Sequence, residues 1–203
     1  MSDTETLLEA SPSRPSNNAV TATDTDWNPG DAPEALDAYA VGVDRVLRLT
    51  AELARNLVGA HQSAAALIVS GDWPHARKWF SLSTKYADWF EYHAPATGVG
   101  LHALVVQRNE PLRLTEAEVE AHPAWRAFGS EADSHPPMRG WLAVPLVGAD
   151  GHNYGLLQLS DKYNDADFTA DDEQHLALLA QLTAASLDSL RTLHEDERIG
   201  ARS

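Results

Sequence analysis

Two apolar runs, Met138–Val147 and Tyr154–Ser160, stand on either side of the segment Gly148-Ala-Asp-Gly-His-Asn153. Asp-Gly between two such runs is the strongest short-range signal for a β-hairpin, because glycine takes the positive φ that the tight turn demands. This part of the chain therefore builds antiparallel sheet. Other strand candidates are Ser63–Ser70, a short buried run, and Ala76–Ser83, where the adjacent Trp79 and Phe80 spoil the alternation. Pro111–Leu114 is a fourth short strand.

Helices bound this sheet in sequence. Asp31 and Pro33 look like a helix start, with an acid near the cap and a proline in the first turn. Leu36, Tyr39, Val43, Val46, Thr50, Leu53 and Leu57 then recur in steps of three and four, and Ala40, Leu47 and Ala54 widen the stripe. Gly59 is placed to terminate the helix. A second long helix follows Thr169, with Asp172 at the third position and acids in its first turn. Its apolar positions are Leu176, Leu179, Thr183, Ser186, Leu190 and Leu193, with a second face at Leu178, Leu182 and Ala185. One face can close the sheet while the other meets another helix. Short helices are expected over Thr84–Tyr92, Leu101–Arg108 and from Thr115, which with Glu118 forms a capping-box pattern and stops near His122–Pro123; a further turn covers Ala124–Phe128. The order of elements implies an α+β domain with a mostly antiparallel sheet of five to six strands.

Composition narrows the function. The chain has 203 residues, enough to bury a core without staples, and no cysteine. Disulfides, thiolate zinc sites and Cys nucleophiles are excluded. The net charge of −15 opposes phosphate backbones and anionic lipid, so neither nucleic acid nor membrane is expected as partner. No apolar run approaches the roughly 18–20 residues of a membrane span, and the first ten residues do not read as a signal peptide. A cytoplasmic location is expected. Residues 1–33, rich in Ser, Pro, Thr, Asp and Asn, read as a disordered acidic tail, 34–197 as one domain and 198–203 as a flexible end.

No catalytic constellation stands out. Nine histidines show no metal-ligand spacing, and there is no nucleophile elbow, P-loop or dinucleotide fingerprint. Trp125 and Phe128 lie on a Pro-broken segment that suits a lid as well as a core. Arg139 reads either as a charge for an anionic ligand or as half of a surface ion pair.

The stretch RGWLAVPLVGADGHNYGLLQLSDKYNDADFTADDEQHLALLAQLTAASL closely resembles the C-terminal half of a GAF domain. Asp161-Lys162, Phe168, Asp172 and Glu173 are similar to the Asn-Lys…Phe-x3-Asp-Glu motif of cyclic-nucleotide-type GAF domains, with Asp161 in place of Asn. NEPLRLTEAEVEAHPAWRAFGSEADSHPPMRGW is similar to GAF domains of bacterial sensor histidine kinases. The resemblance covers roughly 36–195 and implies a GAF-like sheet flanked by the terminal helices, with short lid helices on the other face. It implies a Lys162–Asp172 bridge pinning the last helix to the sheet, with Phe168 plugging the join. The Asp at 161 weakens any transfer of cyclic-nucleotide specificity. Lack of Cys removes the covalent-chromophore and methionine-sulfoxide-reductase branches.

From this follows a non-catalytic small-molecule sensor in bacterial signal transduction. Its pocket would lie between the sheet and the lid region 98–138, lined by Trp79, Ser81, Leu101, His102, Trp125, Phe128, Met138, Arg139 and Trp141. The cofactor is unknown. Leu36, Val43, Val46, Leu53, Leu179, Leu190 and Leu193 would pair two copies into a homodimer acting on a sensor kinase or another signalling protein, since no output segment is recognisable in the 203 residues. A rival reading is a ligand-free dimerisation or interaction module, with Trp125, Phe128 and Met138 filling the pocket. A third is haem-based gas sensing through one axial His.

Overall fold

A computed structural model describes residues 38–68, 72–89, 99–125 and 135–200. The expected tail over 1–33, the helix start at Asp31 and Pro33, Leu36, the ends of the Ser63–Ser70 and Thr84–Tyr92 segments, and Phe128 lie outside these residues.

The elements run α1 (Ala38–Val58), β1 (Ala60–Leu67), β2 (Arg77–Leu82), α2 (Leu101–Arg108), β3 (Leu112–Leu114), α3 (Glu116–Ala121), β4 (Trp141–Val147), β5 (Asn153–Lys162) and α4 (Ala170–Gly200). Short 3-10 turns cover Trp73–His75, Thr84–Trp89, which kinks at Tyr86, and Tyr163–Asp165. Five strands form one sheet in the order β2-β1-β5-β4-β3, and every neighbouring pair is antiparallel. The sheet is thus five-stranded within an α+β fold, with helices on both sides.

Gly59 follows α1 at φ +74, and its N–H bonds the Arg55 carbonyl, so the chain reverses in a single residue. β1 therefore starts at Ala60, three residues before the expected Ser63. Gly140, at φ +64, delays β4 to Trp141 rather than Met138. β5 extends past Ser160 to Lys162. The capping box at Thr115 and Glu118 is complete. Thr169 and Asp172 make the same reciprocal bonds one methylene shorter, with the Thr169 N–H to the Asp172 carboxylate at 2.7 Å and the Asp172 N–H to Thr169 Oγ1 at 3.2 Å.

α1 and α4 lie side by side on one face of the sheet. Leu47, Ala51 and Ala54 of α1 and Leu176, Ala180 and Leu187 of α4 pack there on Leu142, Leu157 and Leu159. Thr50 and Thr183 share a hydrogen bond of 3.0 Å across the helix pair. The apolar stripe expected on α1 is rotated. Val43 and Thr50 are buried, but Leu53 and Leu57 point outward while Leu47, Ala51 and Ala54 point in. Small residues occupy the seam because two helices and a sheet converge on it; counting large side chains misplaces the face.

The expected dimer set needs the same correction. Val43 belongs to the intramolecular core, and Val46, Leu179 and Leu190 pack against it. Of that set, Leu53 and Leu193 are the exposed members among the described residues. The second face anticipated on α4 holds the outward leucines, Leu178 and Leu182.

The phase of α1 is testable. Leu47 is fully buried and Leu57 is 57 % exposed. Leu47→Ala is expected to cost about 2–5 kcal/mol in urea unfolding, and Leu57→Ala less than about 0.5 kcal/mol.

Candidate functional site

Strand parity gives the sheet's other face to Lys78, Phe80 and Leu82 on β2, Gln62, Ala64 and Ala66 on β1, Leu156, Gln158 and Ser160 on β5, and Trp141 and Ala143 on β4. α2 and α3 cover part of it, through Leu101, Val105 and Val119. This face is less uniformly apolar than the one beneath α1 and α4. Gln62 Nε2 donates to the Pro137 carbonyl at 2.6 Å. Ser160 Oγ donates to the Gly140 carbonyl at 3.0 Å. His102 Nε2 donates to Gln158 Oε1, and the His102 ring meets Trp141 edge-on, with centroids 5.6 Å apart. Trp141 is fully buried and its indole N–H has no partner. Between Gln62, Phe80, Trp89, His135 and Gln158 lies a crevice of about 10 Å³, room for one water.

The structure separates the expected pocket residues. Leu101, His102, Trp125, Met138 and Trp141 gather on this face. Trp79 and Ser81 do not, because odd positions of β2 face α1: Trp79 Nε1 donates to Asp44 at 2.7 Å, and Arg55 Nε donates to Ser81 Oγ at 2.9 Å. Arg139 lies 3.7 Å from Asp165 in an exposed ion pair. Among the described residues, no group of three or more His, Asp or Glu is placed to hold a metal.

The end of β5 is a polar corner. Asp161 is buried at φ +56, and one carboxylate oxygen accepts from Lys85 Nζ and Tyr86 Oη, both at 2.6 Å. Lys162 bonds Asp172 at the start of α4. Glu173 pairs with Arg113 of β3 at 3.0 Å, Arg113 also donates to the Phe168 carbonyl, and Phe168 is buried beneath. Burial opposes the charge of Asp172, but Lys162 and the Thr169 donors outweigh it and hold the carboxyl below its usual range. Burial, then the bond to Asp161, pushes the Tyr86 phenol up.

Burial also governs the histidines. His102 falls to about 4, through loss of water and then the nearby Lys78 charge, despite its bond to Gln158. His135 falls to about 4 for the same first reason, against the pull of the Pro136 carbonyl. Both are neutral hydrogen-bonding groups at pH 7.

A GAF domain family model matches residues 42–187. The chain belongs to the GAF domain family. GAF domains are signalling and sensing modules, generally regulatory rather than catalytic. The GAF domain of a phosphoenolpyruvate-protein phosphotransferase from Coxiella burnetii is similar, with a TM-score of 0.56, 20 % identity, and coverage of 76 % of this chain and 95 % of that one. The GAF-B domain of DevS from Mycobacterium smegmatis gives 0.56 and 18 %, over 75 % and 98 %. The free methionine-R-sulfoxide reductase from Neisseria meningitidis, solved with its substrate, gives 0.54 and 19 %, over 76 % and 86 %. At these identities the likeness establishes the fold.

Reading the sequence missed Lys78, Gln62, Gln158 and His135 on the α2–α3 side of this GAF sheet. The available signal was polar side chains inside otherwise apolar runs, at positions sharing a face with Trp141.

The depressed histidines link stability to pH. Their folded pKa lies below 6.5, so the unfolded chain binds more protons in that range. Their contribution is full above pH 6.5 and is lost as pH falls toward 4. The urea midpoint is expected to drop over this window, and His102→Gln to remove about half of the drop; a midpoint flat to pH 4 contradicts the assignment.

Proposed function

We propose that this GAF domain is a non-catalytic, cytoplasmic sensing or regulatory unit of bacterial signal transduction, working as a helix-paired homodimer on a signalling partner such as a sensor kinase. Within it, 34–197 act as the domain and 1–33 as an acidic tail, while α4 continues through Gly200, past the end expected at 197, because its helical backbone bonds carry on through 198–200. The carrying observation is the unequal treatment of the two sheet faces. One is sealed by apolar packing under α1 and α4. The other buries Gln62, Gln158, Ser160 and the unpaired indole of Trp141. Buried polar groups cost stability unless they are hydrogen-bonded; Gln62, Gln158 and Ser160 have protein partners and the Trp141 indole has none, and an apolar wall with a few placed polar groups is the ordinary make-up of a ligand site.

The dimer reading rests on leucines left on the outside. Leu49 and Leu53 on α1, and Leu178, Leu182 and Leu193 on α4, are each about half exposed or more, Leu182 reaching 67 %. A second copy pairing on this side would remove them from water, next to the helices that already touch the sheet. A ligand that alters the sheet would then alter the helix pair and bias a two-state output.

The small volume of the crevice favours a second reading, a ligand-free interaction module with the same dimer. A thermal-shift screen of nucleotides, keto acids and haem separates the two, because only a binder of the folded state raises the melting temperature. Sedimentation equilibrium tests the part they share. The chain is expected to sediment as a dimer, and Leu178→Asp with Leu182→Asp as a folded monomer; a monomeric parent chain overturns the pairing.

A further inference from the structure

The chain has three lysines. Lys85 is paired with Asp161 and Lys162 with Asp172. Lys78 has no carboxylate partner among the described residues, although it is half-buried and the chain carries a net charge of −15. Loss of water holds its pKa below the usual range. A buried ammonium without a counter-charge is costly. Every other described lysine in this acidic protein avoids that cost.

Among the described residues, no carboxylate acts on Lys78. It stands two residues from Phe80 on the face of the sheet that α2 and α3 partly cover, opposite Ala66. Among the described residues, the Lys78 charge acts on both His102 and His135. Gln158, from the central strand, holds His102 and lines the crevice with Phe80, Trp89 and His135. One fixed positive charge, an aromatic wall and two neutral imidazoles converge on one place; the N–H groups of the imidazoles are spent on Gln158 and the Pro136 carbonyl, so each gains a donor for an anion only by taking up a proton.

We propose that this face binds a small monoanionic carboxylate with a flat apolar body, its charge set between Lys78, His102 and His135 and its body against Phe80 and Trp89. The proposal rests on the reading of this face as a ligand site and adds the class of ligand. A single permanent charge matches a monoanion better than a phosphate dianion. The crevice has to widen for entry, so binding is coupled to a rearrangement around Trp89 and His135. An anion beside the imidazoles favours their charged form. Among the described residues, Lys78, His102 and His135 are the titratable groups facing one another here, from β2, α2 and the segment before β4. Proton uptake therefore accompanies binding below neutral pH, and affinity rises as pH falls.

Calorimetric titration of the full chain with benzoate, its neutral isostere benzamide and inorganic phosphate, at pH 5.5 and 7.5, tests this. Benzoate is expected to bind at least about tenfold more tightly than benzamide, more tightly than phosphate, and more tightly at pH 5.5 than at 7.5. Lys78→Met is expected to erase the preference for benzoate over benzamide, and Lys78→Arg to keep it. Equal affinities for benzoate and benzamide, no benzoate binding at millimolar concentration, or unchanged benzoate affinity in Lys78→Met overturn the carboxylate assignment. Tighter binding of phosphate overturns it in favour of a phosphate ligand. A neutral compound or nucleotide that raises the melting temperature while benzoate does not bind leaves the sensor reading standing and removes this one alone. Silence of every compound in both experiments removes both.

Discussion

β5 is the constraint on which the molecule turns. From Tyr154 to Asp161 each of its residues is buried, so it needs a strand on both edges and a layer on both faces. β1 and β4 provide the edges and α1 with α4 one layer. α2 and α3 begin the other. The fit at the end of the β1–β5 pairing is close: a Cβ on Gly155, which sits at φ +139, would lie 1.9 Å from the Ala66 carbonyl oxygen. Only glycine lets the two backbones approach there.

Both ends of β5 are also tied to α4. At its start Tyr154 Oη donates to Asp188 at 2.6 Å, while the same carboxylate accepts the Ala149 N–H of the hairpin at 2.9 Å. At its end Lys162 holds Asp172. The adjacent residue, Asp161, holds Lys85 and Tyr86 in the turn that runs up to Trp89 at the crevice. One dipeptide thus joins the rim of the candidate site to the first turn of the long helix. Asp161 stands where the cyclic-nucleotide-type motif has Asn, and here its charge is answered by Lys85 rather than offered to a ligand.

Local chemistry in the sequence was legible. α2 occupies the expected Leu101–Arg108, the capping residues Thr115, Glu118 and Thr169 cap, and Gly59 ends α1. These features depend on a few neighbouring residues and one backbone rule each. Features that depend on register were not legible. Trp79 and Phe80 looked like a broken alternation, yet both strand faces are covered, so each has a place on its own side. That assigns Trp79 to α1 rather than to the pocket. On the helices, Ala51, Ala54, Ala180 and Ala184 mark the buried seam more faithfully than the leucines do. Lys78 and Gln158 become neighbours of His102 only once β2, β1 and β5 are set side by side, and no short stretch of sequence contains that arrangement.

The claim that a doubly covered central strand organises the whole domain is tested most directly by native-state hydrogen exchange of the full chain, resolved by residue. The account predicts that the β5 amides paired with β1 and β4 are the last to exchange, opening with the free energy of global unfolding, while β3 and the outward turns of α4 exchange earlier through local opening. Exchange of β5 before α1 and α4, or at the rate of the edge strands, would contradict it.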